Sequence, residues 1–264
     1  MTTRDRAIDR VLQVAEGRFG LGIVSGPQWV RDRVGAFLDA FAERAGIPPE
    51  AAAEEMIAQR GPMNELIATL RVGETRFFRD APQWEAVVRY VCEHVPLGAP
   101  INALSAGCST GEEAYTLAIL LGEQGRRFQV LGVDRANDAI VTARAATYPA
   151  EALREVPRGL VDRYFEPQGA LYTVRAPTRA LVSFERRDLA TRPPRGPYDL
   201  ILFKNVLLYL TEPIGTQVAL RLGRALSEEG ILVSAAAEVV RLSAILDPVR
   251  VARGVIAFRP RHDQ

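Results

Sequence analysis

The residues most suited to chemistry lie in the stretch INALSAGCSTGEEAYTLAILL, residues 101–121. An apolar run enters a Gly-x-x-x-Gly turn, Gly107 to Gly111, and two glutamates, Glu112 and Glu113, open the helical pattern that follows. A strand-to-helix turn of this kind usually receives an anion, because the N-terminal end of a helix carries partial positive charge and free N–H groups. A phosphate would be repelled by two carboxylates. One glutamate in a first helical turn is explained by the helix dipole. Two beside a glycine turn point to a cationic ligand group. The spacing is neither G-x-G-x-x-G nor a P-loop, since no Lys-Ser or Lys-Thr follows Gly111.

A second acid narrows the ligand. Asp134 ends the next apolar run, FQVLGVD, 23 residues beyond Gly111. An acid at that place in a βαβ unit accepts hydrogen bonds from ribose hydroxyls, although it can also cap the helix after it. A nicotinamide dinucleotide and S-adenosylmethionine both bring a ribose. Only the second replaces the pyrophosphate by an ammonium and a sulfonium, so Glu112 and Glu113 favour S-adenosylmethionine, with a carboxylate of the turn as partner of its ammonium. The ligand's carboxylate needs a cation. Arg79 offers a guanidinium fork, and Thr75 shares a face with it if this segment is helical.

These residues need a scaffold, and the pattern supplies one. Residues 1–80 read as four helices (AIDRVLQVAEGRFG, PQWVRDRVGAFLDAFAERAG, PPEAAAEEMIAQRG, PMNELIATLRVG), each stopping at Gly or starting with Pro. From about Pro100 short apolar strands alternate with helices: strands at 101–106, 128–134, 198–203 and 230–236, and helices at 112–124, 136–146 and 212–227. That rhythm is an α/β fold with a mostly parallel sheet. LYTV and ALVSFERRDL read as an antiparallel pair between them, and VRVARGVIAFRP as a terminal strand pair. The expected division is a small N-terminal helical domain, 1–80, and a second domain, 81–264.

Bulk properties set limits. The 264 residues suffice for one large α/β domain and a small one. With 33 basic and 32 acidic residues the net charge is +1, so no basic field favours nucleic acid. His94 and His262 are the only histidines and Cys92 and Cys108 the only cysteines, which disfavours a Ser-His-Asp triad, a metal centre or a disulfide framework. Cys108 reads as a small buried residue of the turn. Met1–Arg10 is polar rather than a signal sequence, and no run nears the roughly 18 apolar residues of a membrane span. A cytoplasmic protein without metal or membrane insertion is expected.

Five segments, in order, resemble motifs of the chemotaxis receptor methyltransferases, the CheR family: GETRFFRD; LSAGCSTGEEAYTLA; GVDRANDAIVTARAATY; VDRYF with the hairpin after it; and YDLILFKNVLLYL. The resemblance covers nearly the whole chain. It implies a helical domain beside a class I S-adenosylmethionine-dependent methyltransferase domain, Rossmann-like, with a seven-stranded sheet and a small antiparallel β subdomain at about 160–187. It implies S-adenosylmethionine as methyl donor, S-adenosylhomocysteine as product and receptor glutamates as acceptors. By the same resemblance Thr75, Arg79, Gly107, Glu113 and Asp134 bind cofactor, Asp188 and Leu189 lie near adenine, Lys204 and Asn205 end the fourth strand there, and Tyr209, with Arg79, lies by the reacting methyl. The implied partner is a chemoreceptor or related signalling protein, and a monomer with no further tethering domain is expected. Departures from the family pattern fall at Gly73 (usually Asn), Asp188 (usually Asn), Lys204 (usually Arg) and Ala235–Ala237, where only Glu238 of a G-H-S-E motif remains. Arg31 and Arg33 are the basic residues left to face an acidic partner helix.

Overall fold

The structure is a computed structural model, and it describes residues 2–24, 26, 28–70 and 75–261. The chain divides into two compact units, Met1–Glu74 with Leu207–Ile214, and Thr75–Val206 with Gly215–Gln264. The division thus falls a few residues before the expected one, and a later segment of the chain returns to the helical unit.

Four helices build the first unit: α1 (Thr3–Phe19), α2 (Gln28–Ala45), α3 (Pro49–Ala58) and α4 (Arg60–Thr69). α1 starts at a reciprocal cap, in which the Asp5 N–H donates to Thr2 Oγ1 (3.1 Å) and the Thr2 N–H to Asp5 Oδ2 (2.9 Å). α3 starts with proline, whose missing N–H costs nothing there. Helically spaced apolar residues meet inside: Ile8, Val11 and Leu12 of α1, Val34 and Leu38 of α2, Met56 of α3 and Leu66 of α4. Each such side chain, fully buried, is worth about 1.5–3 kcal/mol relative to exposure. Arg31 pairs with Asp9, and the Arg33 guanidinium donates to the Thr69 carbonyl (2.7 Å) and lies over Trp29. The two arginines expected to face a partner helix are therefore engaged within the helical unit. The returning segment is clipped on by backbone bonds, Gly22 N–H to the Tyr209 carbonyl (3.1 Å) and Thr211 N–H to the Gly20 carbonyl (3.0 Å).

The second unit runs α5 (Ala81–His94), β1 (Ile101–Ala106), α6 (Glu112–Glu123), β2 (Phe128–Asp134), α7 (Asn137–Ala145), β3 (Thr147–Pro149), α8 (Arg158–Tyr164), β4 (Phe165–Gln168), β5 (Leu171–Val174), α9 (Ala176–Arg179), β6 (Val182–Arg186), β7 (Tyr198–Leu202), α10 (Glu212–Gly223, whose first turn lies in the returning segment), β8 (Leu226–Val233), α11 (Val239–Ser243), β9 (Asp247–Ala252) and β10 (Val255–Arg259). A seven-stranded sheet has the order β6-β2-β1-β7-β8-β10-β9. The first five strands are parallel, and β10 and β9 close the sheet antiparallel. The fold is that of a class I methyltransferase, a Rossmann-like sheet with the terminal hairpin read from the sequence. Strands buried on both faces read as near-continuous apolar runs, as β7 and the end of β8 do. The core joins them to α5, α6 and α7 through Val87, Leu117 and Ile140.

A separate sheet, β3-β5-β4, is antiparallel. This corrects one expected pairing: LYTV is β5 and pairs with β3 and β4, whereas the VSFER part of ALVSFERRDL is β6, parallel to β2. Pro167 disguises β4 as a non-strand, although the Gly169 turn folds it back onto β5. Pro177 then starts α9, which carries the chain away to the main sheet. The strands of the small sheet thus span 147–174 rather than 160–187. Strand 230–236 also ends early, at Val233. Among the described residues no helix is long and apolar enough to cross a membrane.

Candidate functional site

Counted along the main sheet alone, the strand order is 3-2-1-4-5-7-6, and it reverses between β1 and β7. In open α/β sheets ligands bind outside the carboxyl ends of the strands at such a point. Register aligns those ends: Ser105 pairs with Gly132 on one side and Leu202 on the other, and Asp134 pairs with Arg186. Four neighbouring strands therefore deliver to one edge the glycine turn, Asp134, the Asp188–Leu189 segment and Lys204–Asn205.

The turn needs its glycines. Gly107 has φ +88°, and a Cβ there would stand 2.4 Å from Val206 Cγ2. Gly111 has φ +98°, and a Cβ would stand 2.9 Å from the Ala143 methyl. Asp134 secures the turn: its Oδ2 accepts from the Ser109 N–H (3.0 Å) and its Oδ1 from the Ala136 N–H (2.9 Å). It therefore caps and braces as well as presenting a carboxylate, with lone pairs left for hydroxyl donors. Tyr148, buried on β3, donates its hydroxyl to the Thr110 carbonyl (2.8 Å) and stands edge-on to Phe77. Burial, then the charge of Glu112, pushes its pKa well up, so the hydroxyl stays a donor.

The two glutamates divide their work. Glu112 is buried and turned back on its own loop, accepting from Thr110 Oγ1 (2.7 Å) and from the Thr75 hydroxyl. Glu113 is half-buried and accepts from Ser105 Oγ (2.8 Å). Burial raises both carboxyl pKa values; for Glu113 the Lys204 charge, the Ser105 hydroxyl and the Arg79 charge pull the other way. Glu113 thus feels two cations, Lys204 and Arg79, and the opposing Asp80 charge. Cys108 is buried, and burial with the Asp134 and Glu113 charges pushes its thiol well above its ordinary pKa, so it is a packing residue, not a nucleophile.

The 75–80 segment is not helical, so the condition for a shared helical face of Thr75 and Arg79 is not met. Phe78 and Asp80 have φ +58° and +62°. The Phe77 N–H goes to the Ala152 carbonyl (3.1 Å) and the Phe78 N–H to Thr116 Oγ1 (3.1 Å), so outside partners set this backbone. Thr75 and Arg79 nonetheless both come to the α6 glutamates. Lys204, buried, lies 3.1 Å from Asp80 Oδ2 with its ammonium over Trp84. Asn205 (φ +57°) donates its backbone N–H to Glu238 Oε2 (2.9 Å). Asp188 closes a turn, accepting from the Ala190 N–H (2.9 Å), and Leu189 is buried beside it.

Tyr209 stands apart from this group in its connections. It ends the 3-10 turn Leu207–Tyr209 and packs against the helical core of the first unit. Gly73 lies outside the described residues. Ser105, Asp80, Tyr148 and Glu238 were not singled out from sequence as site residues. Glu238, the lone acid in an otherwise apolar VSAAAEVV, and Ser105, a hydroxyl ending a buried strand, carried a legible signal; Asp80 and Tyr148 depend on contacts made across the fold.

The donor set fits S-adenosylmethionine: a carboxylate for an ammonium, a guanidinium for a carboxylate, and an acid at the end of β2 for a ribose. The family model described as CheR methyltransferase, SAM binding domain, matches residues 73–251. A chemotaxis protein methyltransferase of Listeria monocytogenes is 26% identical over 64% of this chain, and a probable biofilm formation methyltransferase, WspC, of Pseudomonas aeruginosa is 29% identical over 69%. The matches span 66% and 46% of those relatives' own lengths, under two thirds in each case. Among solved structures, a magnesium protoporphyrin IX methyltransferase (ChlM) from Synechocystis superposes with TM-score 0.40 at 15% identity, covering 68% of this chain and 79% of that one.

Proposed function

This chain belongs to the CheR methyltransferase family, and on that footing we propose that it methylates glutamate carboxylates of a chemoreceptor or chemoreceptor-like signalling protein, forming glutamyl methyl esters. The observation that carries the reading is Glu113, a half-buried carboxylate at the sheet's reversal point, held by Ser105 and flanked by Lys204 and Arg79. When bound, S-adenosylmethionine supplies a methyl group on a sulfonium, and its transfer to a carboxylate removes both charges, a change that a dry site favours over water.

The chain's own residues do the rest. Glu113 holds the ammonium and Arg79 the carboxylate of the donor, with Thr75 joining the same end of the site. Asp134 holds the ribose, and Asp188 with Leu189 frames the adenine. Gly107 lets the backbone approach. Lys204 and Asn205 close the edge beside β7, where Glu238 fixes the Asn205 backbone. An acceptor carboxylate is ionised at neutral pH, so it is already a nucleophile and little base chemistry is required. Tyr209 orients it through its hydroxyl. Most of the acceleration is positional. A cytoplasmic location and a monomeric state go with this reading, and nucleic acid is not its substrate.

A second reading keeps the reaction and changes the acceptor to a signalling protein outside chemotaxis. It is supported by the relative named for biofilm formation and by the departures at Lys204 and Ala235–Ala237. The test is transfer of labelled methyl from S-adenosylmethionine into purified receptor fragments, with base-labile methanol release as the mark of a carboxyl ester. Labelled chemoreceptor supports the first reading, and label only in another signalling protein supports the second. Tyr209→Phe should slow transfer by up to about a hundredfold with donor affinity unchanged. Donor binding with no transfer to any protein would reduce the chain to a cofactor-binding docking module.

A further inference from the structure

The chain has 33 lysine and arginine residues, and one of them alone, Lys204, is a lysine. It stands just beyond β7 with its side chain 3% exposed. Its ammonium is 3.1 Å from Asp80 Oδ2 and 5.2 Å from the centre of the Trp84 ring. A lysine ammonium is a compact charge on a flexible stem, and it can swing between two neighbouring carboxylates in a way that a planar guanidinium fork cannot. Two carboxylates are available. Asp80 has it; Glu113 is the other, and Lys204 opposes its protonation more than any other charged group does.

Asp80 departs from its local role to make this contact. It occupies the N-cap of α5, where aspartate is among the preferred residues because its carboxylate accepts from the helix's first N–H groups. Here it makes no such bond. Its backbone is left-handed at φ +62°, two residues after Phe78 at +58°, an outlier for so bulky a residue. Off-preference backbone, forgone cap and an ion pair between the half-exposed Asp80 and the buried ammonium meet at one lysine, and conformations of this kind persist where the surroundings enforce them, often at working sites.

We propose that Asp80 is a positioning residue that holds Lys204 off Glu113, leaving the Glu113 carboxylate free to pair with the ammonium of the methyl donor. Lys204 then lends its field to Glu113 without occupying it. The proposal rests on the reading of S-adenosylmethionine as ligand.

The experiment measures S-adenosylmethionine affinity by calorimetry in wild type, Asp80→Asn, Asp80→Glu and the double variant Asp80→Asn/Lys204→Met. Asp80→Asn frees Lys204 to close on Glu113, so binding should weaken by about tenfold or more. Asp80→Glu should restore much of it. The double variant, which removes the competing lysine, should bind more tightly than Asp80→Asn alone. A merely structural loss at the N-cap would leave the double variant no better than the single one, and that result, or unchanged affinity in Asp80→Asn, overturns the proposal. A second readout does not depend on affinity. Protein grown with carbon-13 lysine carries one labelled lysine, whose ε-carbon signal should stay nearly still when wild type is saturated with donor and should shift in Asp80→Glu as little. In Asp80→Asn it should start elsewhere and move on saturation, and a signal identical to wild type counts against displacement of Lys204. Failure of wild type to bind S-adenosylmethionine sinks the functional reading itself, whereas wild-type binding with an unaffected Asp80→Asn sinks this inference alone.

Discussion

At the scale of single residues the site is a problem of where to leave a negative charge exposed. Glu112 and Glu113 are adjacent and alike in sequence, yet Glu112 spends its carboxylate on Thr110 and Thr75 while Glu113 keeps one hydroxyl donor and cationic neighbours. Glu113→Gln removes the charge and keeps the shape. Donor affinity should fall by the worth of a charged hydrogen bond, about 1.5–3 kcal/mol or roughly ten- to a hundredfold, as read by calorimetry. Acidity adds a signed expectation. Both glutamates hold protons above the ordinary 4.5 in the folded chain, chiefly because they are buried. The folded state therefore binds more protons than the unfolded one between 4.5 and those raised values. Their contribution to stability is complete below 4.5 and is lost as pH rises through the raised values. Donor binding needs ionised Glu113, so affinity should rise with pH through that same window, with proton release on binding. Calorimetry in buffers of different ionisation enthalpy reads that proton, and its absence would count against Glu113 as the ammonium's partner.

Elements explain why those residues arrive together. Parallel pairing of β6, β2, β1 and β7 brings four loops to one edge, and the glycine turn fits only because its backbone is left-handed at Gly107 and Gly111. Gly111→Ala puts a methyl 2.9 Å from Ala143 at φ +98°. It should cost about 1–3 kcal/mol in stability, seen in denaturant unfolding, and weaken donor binding with it. The turn was legible in sequence as Gly-x-x-x-Gly before two acids, and so was the acid closing the next strand. Its brace by Tyr148 was not, because nothing in a linear pattern says that β3 of the small sheet comes to lie against residues 38 positions earlier. The small sheet was misread for a related reason. Pro167 weakens the strand signal of β4, and the neighbouring apolar run of β6 offered a false partner.

Over the whole molecule, the chain forms two units with separate cores, and the candidate residues are shared unequally between them. Thr75, Arg79, Glu113, Asp134, Asp188, Leu189, Lys204 and Asn205 belong to the sheet unit; Tyr209 belongs to the helical one. Leu38→Ala empties a wholly buried position of the helical core. It should cost about 2–5 kcal/mol, lowering the helical unit's stability in thermal unfolding. Donor affinity measured below that transition should stay near wild type, because the residues proposed to hold the donor belong to the sheet unit. Loss of donor binding in step with the helical unit's stability would contradict this division.

The sequence by itself determined the class of fold, the glycine turn, the acid at the end of β2 and the ordered motifs of the CheR family. Those depend on hydrophobic period and on residues close together along the chain, where local sterics and helix electrostatics act. The tertiary structure alone decided which of two adjacent glutamates stays open, why Thr75 and Arg79 reach the site without a helix, how Asp80 and Lys204 pair, and that residues 207–214 return to the helical core. Those outcomes follow from strand order, register and burial, which bring together charges and backbone groups distant in sequence and set what each one costs to leave unpaired.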